Sequence, residues 1–378
     1  MKSTPLLILL VWSSLWDECA AATGASWPER SPVEQSVSAA PNSNGQSCGE
    51  PGSISQCALQ AWADRPYLVY RPTADPPPSG YPLVLLLHGG SGNAEVGINA
   101  SCPNADRSHP SCLHQIAERR GFVLAVPNGT RSNPPEENRA WNAGGGGPRA
   151  KGGSWQCVGG AVCQSAIDDE RYVADVLDDM DRRIAVNANA IYAMGLSNGG
   201  ALAHRLACRL GDRFAGIASV GAGNQYATSA ECIPAQPVTI LQIHGTGDPC
   251  WRYEESDRTC IIDAPVGFKI GALPSAQTWA DRQGCASPFV TFESDLHGDG
   301  LRTLAIDWQD CAAAVTLLRL EGAPPNPPDA GAGHTYPDGD QYLAEALIGP
   351  TLRDWSMERA WDFLQANNPR PIFRDQFE

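Results

Sequence analysis

From residue 48 onward, apolar runs alternate with amphipathic stretches. Tyr67–Tyr70, Leu83–Leu87, Phe122–Val126, Ile191–Met194, Gly216–Val220, Val238–Ile243, Thr303–Ile306 and Val315–Leu320 read as strands. Several are continuous rather than alternating, the pattern of strands buried on both faces of a parallel sheet. Between them, Leu113–Arg120, Ile167–Ile184, Ser197–Leu210, Ala276–Gln283 and Met357–Gln365 have helical spacing. Asp168, Asp169 and Glu170 open the second helix, where negative charge suits the positive end of the helix dipole. Strands alternating with helices predict an α/β fold with a mostly parallel, doubly wound sheet, in one domain over residues 48–378.

The first 47 residues follow a different pattern. Lys2, the short apolar run Leu6–Trp16 and Ala20-Ala21-Ala22 match a secretory signal peptide over residues 1–22. The run is too short to span a bilayer. Trp16-Asp17-Glu18 are too large and charged to precede a lipidated Cys19, so the expected mature chain is secreted and unanchored, starting near Thr23. Residues 23–47, rich in Pro, Ser, Gly, Asn and Gln, read as a disordered linker. A hydrophobic content of 42% in 378 residues is enough for a sizeable core. The net charge of −15 argues against nucleic acid or an anionic membrane as partner, because both favour a basic patch.

Of the 13 cysteines, Cys19 leaves with the signal peptide, and the remainder is even, as in an exported disulfide protein. Proximity suggests Cys48 with Cys57, Cys102 with Cys112, Cys157 with Cys163, Cys208 with Cys232, Cys250 with Cys260 and Cys285 with Cys311. Cys102, His109, Cys112 and His114 also raise a metal site, but the gap between the two cysteines fits zinc spacing poorly. No metal and no cofactor are expected. Asn99-Ala100-Ser101 and Asn128-Gly129-Thr130 match the N-glycosylation pattern, which matters only in a host that glycosylates.

The densest chemical signal is Gly195-Leu196-Ser197-Asn198-Gly199, between the strand Ile191–Met194 and the helix Ser197–Leu210. G-x-S-x-G arises often by chance in a chain with 38 glycines, but a strand before it and a helix after it make a nucleophile elbow. There the serine takes a strained backbone at the tip of a sharp turn, and small neighbours avoid clashes. Such a serine needs a histidine base held in one tautomer by a carboxylate. In an open α/β sheet these groups belong on loops after strands.

Asp248, in His244-Gly245-Thr246-Gly247-Asp248 after Val238–Ile243, meets that condition, although a turn aspartate also commonly bonds its own backbone. His334, in Gly331-Ala332-Gly333-His334, follows the last strand and is the remaining candidate after elimination. His88 belongs to a glycine loop, His204 to the helix after the elbow, His109 and His114 to a Cys-flanked insertion, and His297 to a polar turn; His244 is too close to Asp248 in sequence. The loop His88-Gly89-Gly90-Ser91-Gly92 follows Leu83–Leu87. In hydrolases of this build it supplies one backbone N–H of the oxyanion hole, here from Gly90 or Ser91, and Asn198 supplies the other. Each donor is worth about 3–4 kcal/mol at the transition state.

Together these segments resemble the secreted feruloyl esterase and polyhydroxybutyrate depolymerase family of α/β-hydrolases. The likeness runs in patches over residues 65–365. It takes in His88-Gly89-Gly90, Trp141-Asn142-Ala143-Gly144-Gly145, Asp168-Asp169, Gly195–Gly200, His244–Asp248 with Tyr253, Trp279 before Gly284-Cys285, Gly333–Pro337 and Ala360–Phe363. The resemblance implies a single-domain α/β-hydrolase fold, a Ser197–Asp248–His334 triad, and ester hydrolysis through an acyl-enzyme. Its first expected substrates are hydroxycinnamoyl esters of the plant cell wall, followed by polyhydroxybutyrate and acetyl xylan. A carbohydrate-binding protein on an inactivated hydrolase fold is the alternative of another class.

The chain departs from the family at Asn198, where Ala is usual, and at Tyr336, where Trp is usual. Ala323–Ala332, Gly146–Cys163 and Cys250–Pro274 are longer than expected, and two of these insertions look disulfide-stapled. Trp141, Trp155, Trp251 and Tyr253 lie in or beside them and suit a flat phenolic group or a sugar face; each Trp could equally pack its own loop. Trp141, Trp251, Tyr253 and Tyr336 are the candidate substrate-binding residues.

Overall fold

A computed structural model describes residues 48–131, 138–145, 167–254, 269–293, 295, 297–340, 345–353 and 355–370. The expected signal peptide and linker, Trp155, Cys157, Cys163 and Cys260 lie outside them.

The strands are β1 (Ile54–Cys57), β2 (Tyr67–Tyr70), β3 (Tyr81–Leu87), β4 (Val123–Val126), β5 (Thr130–Arg131), β6 (Arg139–Ala140), β7 (Val186–Leu196), β8 (Gly216–Val220), β9 (Thr239–Gly245), β10 (Pro288–Phe292), β11 (Leu301–Trp308) and β12 (Val315–Gly322). The helices are α1 (Ala94–Ala100), α2 (Leu113–Arg120), α3 (Asp169–Arg183), α4 (Asn198–Arg209), α5 (Ala272–Arg282), α6 (Glu345–Ile348) and α7 (Met357–Ala366). The ten-stranded main sheet has the order β1-β2-β4-β3-β7-β8-β9-β12-β11-β10. The central strands from β4 to β12 are parallel, and the strands outside them pair antiparallel. This is the α/β-hydrolase arrangement.

Side chains alternate across the sheet, so consecutive residues of a buried strand feed two cores. Leu83, Leu85 and Leu87 of β3 join Ala193, Ile217, Ile240 and Leu317 beneath α3, α4 and α5. Val84 and Leu86 join Met194, Ala218, Leu241 and Leu318 beneath α1, α2 and α7. Both faces being covered accounts for the continuous apolar runs. The parallel strands then have their carboxyl ends along one edge, where β3, β7, β9 and β12 deliver the loops of the candidate site.

Among the elements that depart from the sequence expectation are α5, α1 and β10. Helix α5 begins at Ala272 rather than Ala276, because Pro274 sits in the first turn, where a missing N–H costs nothing. Helix α1 carries Gly97 in a seven-residue stretch and is set by its Asn93 cap, whose side chain accepts from Val96 N. Strand β10 is exposed at all five positions, with Phe289 and Phe292 each 60% exposed, and forms one end of the sheet.

Among the described residues, four of the disulfides suggested by proximity are present: Cys48–Cys57, Cys102–Cys112, Cys208–Cys232 and Cys285–Cys311. Cys250 is disulfide-bonded as well. With Cys102 and Cys112 joined to each other, neither offers a thiolate to a metal at the cluster they form with His114. Among the described residues no helix is long and apolar enough to cross a membrane.

Candidate active site

Strand β7 ends at Leu196 and helix α4 begins at Asn198, leaving Ser197 alone at the turn with φ 56° and ψ −122°. That backbone costs on the order of 1–3 kcal/mol for a non-glycine residue and persists only where surroundings enforce it. The enforcement is visible in the flanking glycines. A Cβ on Gly195 would lie 2.4 Å from the carbonyl carbon of Gly199, and one on Gly199 would lie 2.1 Å from Leu87 O. Both are at contacts that admit no side chain. Ser197 N donates to Val220 O at 2.9 Å, which ties the turn to the end of β8.

Asp248 and His334, 86 residues apart, meet in a hydrogen bond of 2.6 Å between His334 Nδ1 and Asp248 Oδ2. Their loops are interlocked by glycines. A Cβ on Gly245 or Gly247 would strike the Ala332 or Gly331 carbonyl, and one on Gly333 would strike Ile348 O. Gly247 N donates to Ala332 O, Gly333 N to Pro350 O, and His334 N to Ile348 O. The small residues before His334 thus serve contacts with the Asp248 loop and with the end of α6.

The two uses of a turn aspartate coexist in Asp248, one on each oxygen. Oδ1 accepts the backbone N–H groups of Cys250 and Trp251, at 2.7 and 2.8 Å, while Oδ2 takes His334. Burial opposes ionisation of this fully enclosed carboxyl. The charge and hydrogen bond of His334, with His244 and the Trp251 N–H, outweigh it and hold Asp248 below the usual carboxylate range. His244, also buried, lies 3.7 Å from Asp248 Oδ2 and bonds Trp251 O through Nε2 at 2.6 Å. It therefore braces the turn that supports Asp248.

Gly221 was not singled out in the sequence and sits at the centre of this group. It follows β8 with φ +57°, and a Cβ there would lie 3.0 Å from His334 Nδ1 and 3.3 Å from Asp248 Oδ2. Val220, one residue earlier, receives the Ser197 amide. The signal available was a glycine at a strand end, in Val220-Gly221-Ala222-Gly223, a sign of close backbone approach.

The glycine loop after β3 lies on the other side of Ser197. Gly90 and Ser91 are exposed, and Ser91 has φ 62°. A Cβ on Gly89 would fall 3.7 Å from Ser197 Cβ, and one on Gly90 3.6 Å from Asn198 Cβ, so the loop borders the elbow. Asn198 begins α4, and its side chain binds the Trp141 backbone twice, Oδ1 accepting from Trp141 N at 2.7 Å and Nδ2 donating to Trp141 O at 3.0 Å. An alanine at this position would make neither bond.

Trp141 and Trp251 are 0% and 1% exposed, inside the core. Trp141 Nε1 donates to His88 O, and Trp251 Nε1 to Ile270 O. Both side chains hold loops in place. Tyr336 is likewise buried, whereas Tyr253 is half-buried against His244 and Arg319. Asp169 does more than open α3: it is wholly buried, ion-pairs with Arg65 and accepts from Asn142 N at 2.6 Å. Arg65 lies 3.7 Å over the Tyr172 ring, so a caged ion pair underlies the Trp141 segment. His204 accepts from Trp279 Nε1 within the core. The Asn99 and Asn128 amides are both engaged internally, with Arg107 and with Ala94 N and Pro66 O.

No family model matches the chain. Among curated proteins it is 28% identical over 304 residues to "Putative esterase NocK" of Nocardia uniformis subsp. tsuyamanensis, covering 78% of this chain and 76% of that protein. It is also 28% identical over 138 residues to feruloyl esterase B of Piromyces equi, covering 36% of this chain and 26% of that protein. The chain resembles the feruloyl esterases. An acetyl xylan esterase from Aspergillus awamori superposes with a TM-score of 0.44 at 13% identity, over 71% of this chain and 92% of that one. The matched segment spans about a quarter of the length of the Piromyces protein. Esterase function is what the named relatives have in common.

Proposed function

We propose that this chain is a secreted serine esterase that cleaves hydroxycinnamoyl esters of plant cell-wall material through an acyl-enzyme. The observation that carries the reading is the buried Asp248–His334 hydrogen bond, beside an elbow whose serine has φ 56°. Ser197 Oγ attacks the ester carbonyl as His334 Nε2 takes its proton. The carbonyl becomes a tetrahedral oxyanion, held by the N–H groups of Asn198 and of Gly90 or Ser91. His334 then protonates the leaving alcohol, and water repeats the sequence to release the acid. Asp248 keeps the proton of His334 on Nδ1, which leaves Nε2 free as the base. Tyr253, half-buried beside His244, is the aromatic offered to the acyl group, while the buried Trp141, Trp251 and Tyr336 support the surrounding loops. Secretion is supported by the disulfides, which persist in oxidising compartments.

The test is a panel of methyl ferulate, p-nitrophenyl acetate, acetyl xylan and a hydroxybutyrate oligomer on wild type and Ser197→Ala. Wild type is expected to prefer methyl ferulate, and Ser197→Ala to lose roughly 10⁴-fold or more in kcat on every substrate. Equal turnover by the two proteins would sink the serine mechanism; preference for another ester would replace the substrate. A fluorophosphonate probe should label wild type and leave Ser197→Ala unlabelled.

A further inference from the structure

His88 is 1% exposed and packs at a tilt against Trp141, with ring centroids 4.8 Å apart. Its Nε2 receives the backbone N–H of Gly129 at 3.0 Å. An amide N–H can only donate, so Nε2 presents a lone pair and the ring proton is on Nδ1. Nδ1 lies 2.8 Å from Gly89 O, which makes that contact a donated hydrogen bond. Gly92 N donates to the same oxygen at 3.1 Å. The Gly89–Gly90 peptide is trans and planar, so its C=O and N–H point in opposite directions. With the oxygen fastened on the His88 side, the Gly90 N–H faces away from that ring.

We infer that His88 is a positioning residue of the oxyanion hole: its Nδ1–H fixes the Gly89–Gly90 peptide plane and so aims the Gly90 N–H at the substrate oxyanion. The inference rests on the esterase reading above. Two features strengthen it. Nε2 is anchored by Gly129, so the ring cannot rotate without losing that bond. The His88 carbonyl is held by Trp141 Nε1, and Trp141 is held in turn by Asn198, whose own N–H is the second proposed donor. One connected set of contacts therefore spaces the two donors.

The two nitrogens can be tested separately. His88→Asn retains an N–H donor where Nδ1 stood and loses the Gly129 contact. His88→Gln reaches to the Nε2 position and loses the donor to Gly89 O. On p-nitrophenyl acetate, His88→Gln should lower kcat roughly 100-fold with KM little changed, the signature of a lost transition-state donor. His88→Asn should keep most of kcat. A folded His88→Gln with wild-type kcat, or equal losses in the two variants, overturns the inference. Ser197→Ala in the same assay separates the two readings. If it is active, the esterase mechanism fails; if it is inactive while His88→Gln matches wild type, this inference alone fails. Should His88→Gln not fold, imidazole nitrogen NMR of the wild type decides: Nδ1 protonated with Nε2 bare is expected, and the opposite tautomer overturns the proposal.

Discussion

On one side of Ser197, Asp248 and His334 meet because Gly221, Gly245, Gly247 and Gly333 let backbones approach where a side chain would collide. On the other side, Asn198, Trp141 and His88 grip one another and the glycine loop through polar side-chain contacts. The first half is assembled from what is missing and the second from what is present. Added atoms should damage the first, and removed atoms the second. Interlocked glycines keep the Asp248–His334 pair buried, and burial strengthens its hydrogen bond. Side-chain clamps would preset the direction of the proposed oxyanion donors, which must be in place before charge develops.

The largest expected effect comes from adding one methyl group to the first half. Gly221→Ala places a Cβ against His334 Nδ1 at a backbone of φ +57°, so the imidazole must move. The ring must give by a few tenths of an ångström while alanine strains the backbone, so kcat should fall by up to roughly 100-fold, the cost of a 1 Å misplacement. Steady-state kinetics should show that loss with the fold intact by circular dichroism, and unchanged kcat would break the contrast. Acid should act on both halves, since Asp248 and His244 are also shifted downward, and the second half offers the clearer handle. Burial lowers the His88 pKa from 6.5 to about 4, so between those values the unfolded chain binds a proton that the folded chain refuses. Stability present above pH 6.5 is therefore lost as pH falls through this window, by about 3 kcal/mol at pH 4. Melting temperatures should decline accordingly, and less steeply in His88→Asn, which has no ring to titrate. His204, lowered to about 3 by burial, acts in the same direction and keeps part of the slope in that variant.

Removing the Asn198 side chain is a milder change. Asn198→Ala strands the buried N–H of Trp141, whose C=O keeps the Ala143 N–H, and should cost about 1–3 kcal/mol in denaturant unfolding. Its kcat should fall less than that of His88→Gln, because the Asn198 N–H remains; a larger fall would show that the Trp141 segment aims the donors more than His88 does. The smallest effect belongs to a control outside both halves. Phe289→Ser with Phe292→Ser on β10 should shift stability by no more than about 0.5 kcal/mol, as exposed positions do, and leave kcat unchanged.

Legibility in the sequence divides by how local each cause is. Leu113–Arg120 was readable to its ends because Gly121, at φ 68°, caps it, and Tyr67–Tyr70 and Gly216–Val220 were equally sharp. Strand β10 was missed because hydrophobic pattern marks burial, and Pro288–Phe292 is buried on neither face. Ser197 stood out through its own neighbours. Asp248 and His334 could be proposed from chain order and elimination, since strand ends are local even when the partnership is not. Gly221 and the Arg65–Asp169 pair escaped notice for the opposite reason. Their significance depends on segments far apart in the chain, and nothing in Val220-Gly221-Ala222 announces an imidazole overhead.

Cys250 carries a consequence of another kind. Its N–H is one of the two backbone donors to Asp248 Oδ1, and its sulfur is committed to a disulfide. The carboxylate's support is thus fastened to a bond whose formation depends on the surroundings in which the chain matures. Protein made in a thiol-rich cytosol would fold with that fastening open, and its turnover, more than its yield, would record whether an oxidant had since closed it.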